Sequence, residues 1–128
     1  MDLTWYNELN KPLFNPPSYI FTPVWGVMYF LIFLSFFIFM FAKTDKNKKA
    51  GIGFFLIQLL LNLSWSPAFV YRQNIKLSLI IIILLLIFII LTIYSFYKIS
   101  KPASYLLIPY LLWVGFATYL NFGLMLLN

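Results

Sequence analysis

The sequence predicts an all-α protein: a polytopic bundle of transmembrane helices, with four spans. Three observations predict it. Of the 128 residues, 63% are hydrophobic and 9% charged, far from the balance of a soluble domain. Charge is absent from four runs, Tyr19 to Ala42, Ala50 to Tyr71, Leu77 to Tyr97 and Pro102 to Asn128, and a helix needs only ~20 residues to cross the hydrocarbon core. No apolar–polar alternation of a barrel strand appears, and backbone groups in lipid must be satisfied within the segment itself, so each run reads as a helix. At this length the chain is one membrane domain, residues 1–128, with spans near 19–42, 50–71, 77–97 and 102–127.

The opening segment, residues 1–18, cannot be helical. Pro12, Pro16 and Pro17 fix the backbone and remove donors, and Trp5, Tyr6 and Phe14 give the segment an aromatic face. A stiff aromatic loop of this kind suits a lid over a cavity. No basic n-region with a small-residue cleavage site precedes the first apolar run, so no cleavable signal peptide is expected. The first span follows with Pro23 in its first turn, where proline is tolerated, and with Trp25 and Tyr29 four residues apart beside Gly26.

The second span carries a stripe. Gln58, Asn62, Trp65, Ser66 and Phe69 fall at i, i+4, i+7, i+8 and i+11. Polar side chains at membrane depth face other helices or a cavity. The span from Leu77 to Tyr97 is nearly all Ile, Leu and Phe, as expected of a helix with much of its surface in lipid. The last span repeats the stripe with Tyr110, Trp113, Ala117 and Asn121. Three helices thus offer aromatic and amide groups that could converge, with Gly26, Ser66 and Ala117 leaving room. The same stripes are explained equally well by amides bonding between helices and by aromatic packing. Most of the tyrosines sit near span ends, as an interfacial belt does. Trp25, Trp65 and Trp113 lie deeper, on faces that also carry polar residues, and are the candidates for a site. No two glycines have GxxxG spacing.

Charge placement gives an orientation. The net charge of +6 comes from loop lysines, and its placement points to membrane topology and not to nucleic acid. Lys43, Lys46, Lys48, Lys49, Lys98 and Lys101 fall on one side of a four-span chain, and Lys11, Arg72 and Lys76 on the other. The positive-inside rule puts the loops at 43–49 and 98–101 in the cytoplasm and the lid loop outside. Chemistry is restricted. There is no cysteine and no histidine, and Asp2, Glu8 and Asp45 all lie outside the spans. Thiol chemistry, most metal sites and acid–base hydrolysis are disfavoured, as is ion-coupled transport, which keeps ionisable groups inside the membrane. No cofactor and no metal are expected.

The motif W-Y-x-x-L-x-K-P-x-F-x-P-P at Trp5–Pro17, followed by F-x-P-V-W-x-x-x-Y at Phe21–Tyr29, resembles the signature of the translocator protein family, also called the tryptophan-rich sensory proteins. "LLLNLSWSPAF" (Leu59–Phe69) resembles the family's third helix and "IPYLLWVGFATYLNFGLMLLN" (Ile108–Asn128) its fifth. The resemblance implies a helical bundle whose proline loop caps a ligand pocket, a porphyrin or other tetrapyrrole as ligand, a bacterial or archaeal cell membrane, and room for a homodimer. Carried over by motif, pocket positions are Trp25, Tyr29, Asn62, Ser66, Phe69, Trp113 and Ala117, with Pro16 and Pro17 in the lid. Light- and oxygen-dependent porphyrin breakdown credited to some members would draw on Trp25 and Trp113. Binding and sensing are favoured, with breakdown or facilitated movement of porphyrin-like ligands as alternatives.

Two departures from the family pattern stand out. The family has five helices, the first ahead of the W-Y loop, whereas only Met1 to Leu3 precede Thr4 here. Either that helix is lost or the start lies further upstream, and without it one flank of the bundle is open to lipid or filled by a partner. The cholesterol pattern, weak in itself, begins with Val114 and Tyr119 but finds no Lys or Arg after them, so cholesterol is not expected.

Overall fold

In a computed structural model, residues 21–71 and 74–127 are described. They form five α-helices: α1 (Phe21–Phe41), α2 (Lys49–Ser66), α3 (Ile75–Tyr97), α4 (Lys101–Leu106) and α5 (Ile108–Leu127), with a π-helical turn at Pro67–Tyr71. Four stretches are long and apolar enough to cross a membrane, Pro23–Phe41, Lys49–Phe69, Ile75–Tyr97 and Lys101–Leu127, the last made of α4 and α5 together. The chain is an all-α integral membrane protein. The lid positions Pro16 and Pro17 lie outside the described residues.

Prolines and caps set the boundaries. Pro67 has no N–H for the carbonyl four residues back, and its ring crowds that carbonyl; the helix widens there into the π turn, and α2 ends. Asn74 then caps α3, its side-chain oxygen accepting from the Leu77 N–H at 3.0 Å, as a good N-cap residue does. Pro109 acts similarly on the last span. α4 and α5 are separated at Leu107, whose N–H turns to the Ser104 carbonyl at 3.1 Å. In an unbroken helix it would bond the Ala103 carbonyl. That carbonyl instead accepts from the buried Ser35 hydroxyl of α1 at 2.6 Å. A break that would be costly in lipid is thereby closed by a neighbouring helix.

α3 is the centre of the arrangement, with α2 along one side and α4 and α5 along another, while α1 lies against α4 and α5. Ile82, Leu85, Ile89 and Phe96 of α3 are buried with Ile32 and Phe39 of α1, Phe55 of α2, and Leu107, Tyr110 and Val114 of the last span. Phenylalanine rings lock the end where α1 finishes and α2 begins. Phe39 stacks on Phe96 with centroids 3.9 Å apart and planes 8° apart, Phe36 stacks on Phe55 at 4.3 Å, and Phe55 reaches Phe96 at 6.1 Å. Gly51 makes this closeness feasible: a Cβ there would stand 2.6 Å from the Phe39 Cζ. Lipid tails are as apolar as these side chains, so the gain is in close packing and not in removal from water.

The lysine loops meet at this same end. The Lys46 ammonium donates to the Lys98 carbonyl at 2.8 Å, joining the 42–48 loop to the end of α3. The Lys48 ammonium donates to the Met40 and Ala42 carbonyls, each at 2.8 Å. A cation on the last carbonyls of α1 satisfies acceptors with no helical partner and complements the helix dipole.

Candidate functional site

The opposite half of the bundle is built from different residues. α1 places Trp25 and Tyr29 on successive turns of one face, their rings 6.0 Å apart. α2 runs antiparallel and brings Trp65 to 6.3 Å from Trp25. α5 brings Trp113 to 6.2 Å from Trp25, with the two planes at 81° in an edge-to-face arrangement. Such separations and tilts are those that aromatic pairs favour. Trp25 is therefore the ring on which three helices converge. All three indoles are half-buried. Phe69, in the π turn, stacks on Trp65 at 5.0 Å with planes 13° apart and is itself buried.

Beside the rings runs a chain of hydrogen bonds. The Tyr29 hydroxyl of α1 donates to Asn62 Oδ1 of α2. Asn62 Nδ2 donates to the Tyr110 hydroxyl of α5 at 2.7 Å, and that hydroxyl donates to Gln58 Oε1 at 2.8 Å. Tyr110 is 0% exposed, Gln58 1% and Asn62 4%. Asn62 is thus the junction of α1, α2 and α5. In a medium with no water to take up unmet groups, each link also fixes the direction of the next. Among the described residues the chain stops at Gln58 Nε2, a buried donor with no acceptor.

A second amide sets the outer ring. Asn121 Oδ1 accepts from Trp65 Nε1 at 3.1 Å, and Asn121 Nδ2 donates to the Ile75 carbonyl at 3.1 Å. One buried side chain therefore ties an indole of α2 to the start of α3. Both the oxygen and the nitrogen of the Asn121 side-chain amide bond within the bundle, so this residue orients Trp65.

Of the residues expected from the sequence, Trp25, Tyr29, Asn62 and Trp113 come together, and Phe69 joins them through Trp65. Ala117, buried on α5, lies one turn beyond Trp113 on the same face, where its small side chain leaves space. The side chain of Ser66 is outside the described set. Trp65, Gln58, Tyr110 and Asn121 fall on the stripes of α2 and α5 yet outside the positions carried over by motif. Their signal was the spacing itself: each lies three or four residues from a motif position, on the same helical face.

The cluster has no charged group. With no cysteine or histidine in the chain, it offers stacking faces and neutral hydrogen bonds. Among the described residues no three metal-ligating side chains gather.

The sequence profile of the TspO/MBR family matches residues 1–127. The chain is 44% identical over 125 residues to the tryptophan-rich protein TspO of Chlorobaculum tepidum, covering 97% of this chain and 79% of that protein. It is 34% identical over 124 residues to the tryptophan-rich sensory protein of Cereibacter sphaeroides, covering 97% and 77%. It is 32% identical over 122 residues to the translocator protein of Homo sapiens, covering 94% and 72%. A match along essentially the whole chain, running through the helices that bring the three tryptophans together, makes this protein a member of the TspO/MBR family of integral membrane proteins.

Proposed function

We propose that the protein binds a porphyrin or closely similar tetrapyrrole at the tryptophan cluster and acts as a membrane sensor or regulator of that ligand. The observation that carries the reading is Trp25, which meets Tyr29, Trp65 and Trp113 at 6.0 to 6.3 Å. A flat, largely apolar macrocycle gains most from indole faces, and a mostly apolar site with a few placed polar groups is what such ligands use. The Tyr29–Asn62–Tyr110–Gln58 chain fixes the rings without adding charge, and Gln58 Nε2 is a neutral donor left over for an acceptor on the ligand.

Protoporphyrin titrated into the purified protein is expected to quench tryptophan emission with micromolar-range affinity. Trp25→Leu should weaken binding by about tenfold, since it removes one ring–ring contact with the macrocycle, worth roughly 0.5–1.5 kcal/mol. Wild type that does not quench on titration would defeat the reading.

Three indoles within about two ring widths also favour a second reading, oxidative porphyrin breakdown through tryptophan. Under light and oxygen, Trp25→Phe with Trp113→Phe keeps stacking faces but removes both candidate indoles. Bleaching by that variant at the rate of free porphyrin in micelles, against faster bleaching by wild type, would support breakdown. Equal rates in the two proteins would leave binding alone.

The same proposal includes an orientation. Six lysines lie on the 43–49 and 98–101 loops, which are joined through Lys46 and the Lys98 carbonyl; the positive-inside rule assigns this end to the cytoplasm. Cysteines introduced at Asn47 and Asn74 should then label from opposite sides of intact cells, with Asn47 the protected one. Labelling of both from outside would defeat the assignment, and labelling at Asn47 alone would reverse it.

A further inference from the structure

We propose that the corner between α3 and α4 is a binding site for one anionic phospholipid, with Lys98 and Lys101 holding its phosphate. The two ammonium groups sit on the short 98–101 turn, and both lysines are exposed. Each lies over an aromatic ring at the edge of the bundle: Lys98 Nζ is 4.3 Å from the Tyr94 centroid and Lys101 Nζ is 5.5 Å from that of Tyr97. Tyr97 in turn meets Tyr105 of α4 at 6.3 Å. These cation–π contacts bend the long side chains over the rings and keep both positive charges at this corner of the bundle. The turn is pinned from the next loop, because Lys46 bonds the Lys98 carbonyl at 2.8 Å.

The surface below the lysines selects a lipid over a free anion. Tyr94, Ile90, Ile87 and Ile83 are exposed at spacings of three and four along α3, one continuous apolar stripe leading away from Lys98. A phosphodiester at the lysines would leave its acyl chains along that stripe, with the tyrosines at headgroup depth, where such rings settle. Asp45 is the sole acid in the two adjoining loops, so the local field is strongly positive, and a basic residue near an anionic surface adds measurably to affinity. The site needs only that this end of the bundle meets headgroups, and it is independent of which side of the membrane that is.

The test uses the full chain reconstituted in an equimolar mixture of phosphatidylglycerol and phosphatidylcholine, released into mild detergent, with retained lipid counted by native mass spectrometry. Wild type is expected to retain phosphatidylglycerol preferentially. Lys98→Gln with Lys101→Gln should lower that preference by about fivefold per lysine. Lys43→Gln with Lys49→Gln removes the same charge from the other loop and should leave it nearly unchanged. Lys98→Arg with Lys101→Arg, which keeps both charges and disturbs folding least, should retain it. The proposal is overturned by a wild type with no preference, by equal losses in the two glutamine pairs, by loss in the arginine pair, or by displacement of the lipid with inorganic phosphate at constant ionic strength.

Discussion

The two halves of the bundle hold aromatic rings in different ways. At the lysine end, Phe36, Phe39, Phe55 and Phe96 lie flat on one another, with planes 8° to 19° apart. At the other end one flat pair, Phe69 on Trp65, remains, but Trp25 meets Tyr29, Trp65 and Trp113 at angles from 35° to 81°, and amides of Asn62 and Asn121 run between the helices. The first arrangement is dense and self-sufficient; the second keeps its rings partly exposed and aims them through hydrogen bonds. Flat stacks suit a region that only has to hold helices together. Tilted rings oriented by amides suit one that receives a guest.

If this division holds, stability and ligand affinity respond to different substitutions. The largest stability loss is expected for Phe39→Ala, which empties the ring that packs on Phe96 and faces Gly51; about 3 kcal/mol is the scale for a buried Phe truncation. Porphyrin affinity, measured above the unfolding transition of neither protein, should stay within a factor of two. Gly51→Ala comes next, at about 2 kcal/mol, because the new methyl meets a Phe39 ring that is 0% exposed and already stacked. If Phe39 instead rotates away at no cost, the stack is less rigid than its geometry implies, and unchanged unfolding in a denaturing-detergent titration would reveal it.

Asn62→Ala reverses the pattern. Interhelical hydrogen bonds in bilayers average well under their value in dry surroundings, so the stability cost is about 1 kcal/mol. Porphyrin binding should weaken by about fivefold, because Tyr29 and with it Trp25 lose their anchor. An affinity left intact with stability lowered would move Asn62 to the class of helix glue. The smallest effect is expected for Asn121→Ala, roughly 0.6 kcal/mol. Its sharper readout is a blue shift of Trp65 emission in a variant where Trp5, Trp25 and Trp113 are Phe, since the indole N–H loses its acceptor.

The residues themselves show how far the sequence could be read. Four charge-free runs fixed the helical character, because lipid leaves few alternatives for the backbone. Gln58, Asn62 and Trp65 on α2, and Tyr110, Trp113 and Asn121 on α5, were legible as faces because each face repeats with the helical period. Which amide meets which hydroxyl was not legible. The Tyr29–Asn62 and Asn62–Tyr110 bonds depend on which helices are neighbours and at what height, and periodicity within one helix carries no information on either. The phenylalanine stack was hidden for another reason: with 15 phenylalanines in the chain, nothing local distinguishes Phe39 from Phe41, yet the first is fully buried and the second 73% exposed. The interruption at Leu107 shows the limit of counting apolar residues, since Pro109 is apolar and only its missing N–H marks the place.

That interruption links the inheritance of two distant positions. Beside Pro109, Leu107 turns its N–H away from the Ala103 carbonyl, and that carbonyl takes the Ser35 hydroxyl of α1. A carbonyl has two lone pairs, so a lineage that replaced Pro109 with an ordinary helix former would let Leu107 reclaim the Ala103 carbonyl while Ser35 kept its bond. Loss of Ser35 on the proline background takes away the donor that closes the break; on the other background it removes only a second donor. The serine should therefore be the harder to lose for as long as the proline is present.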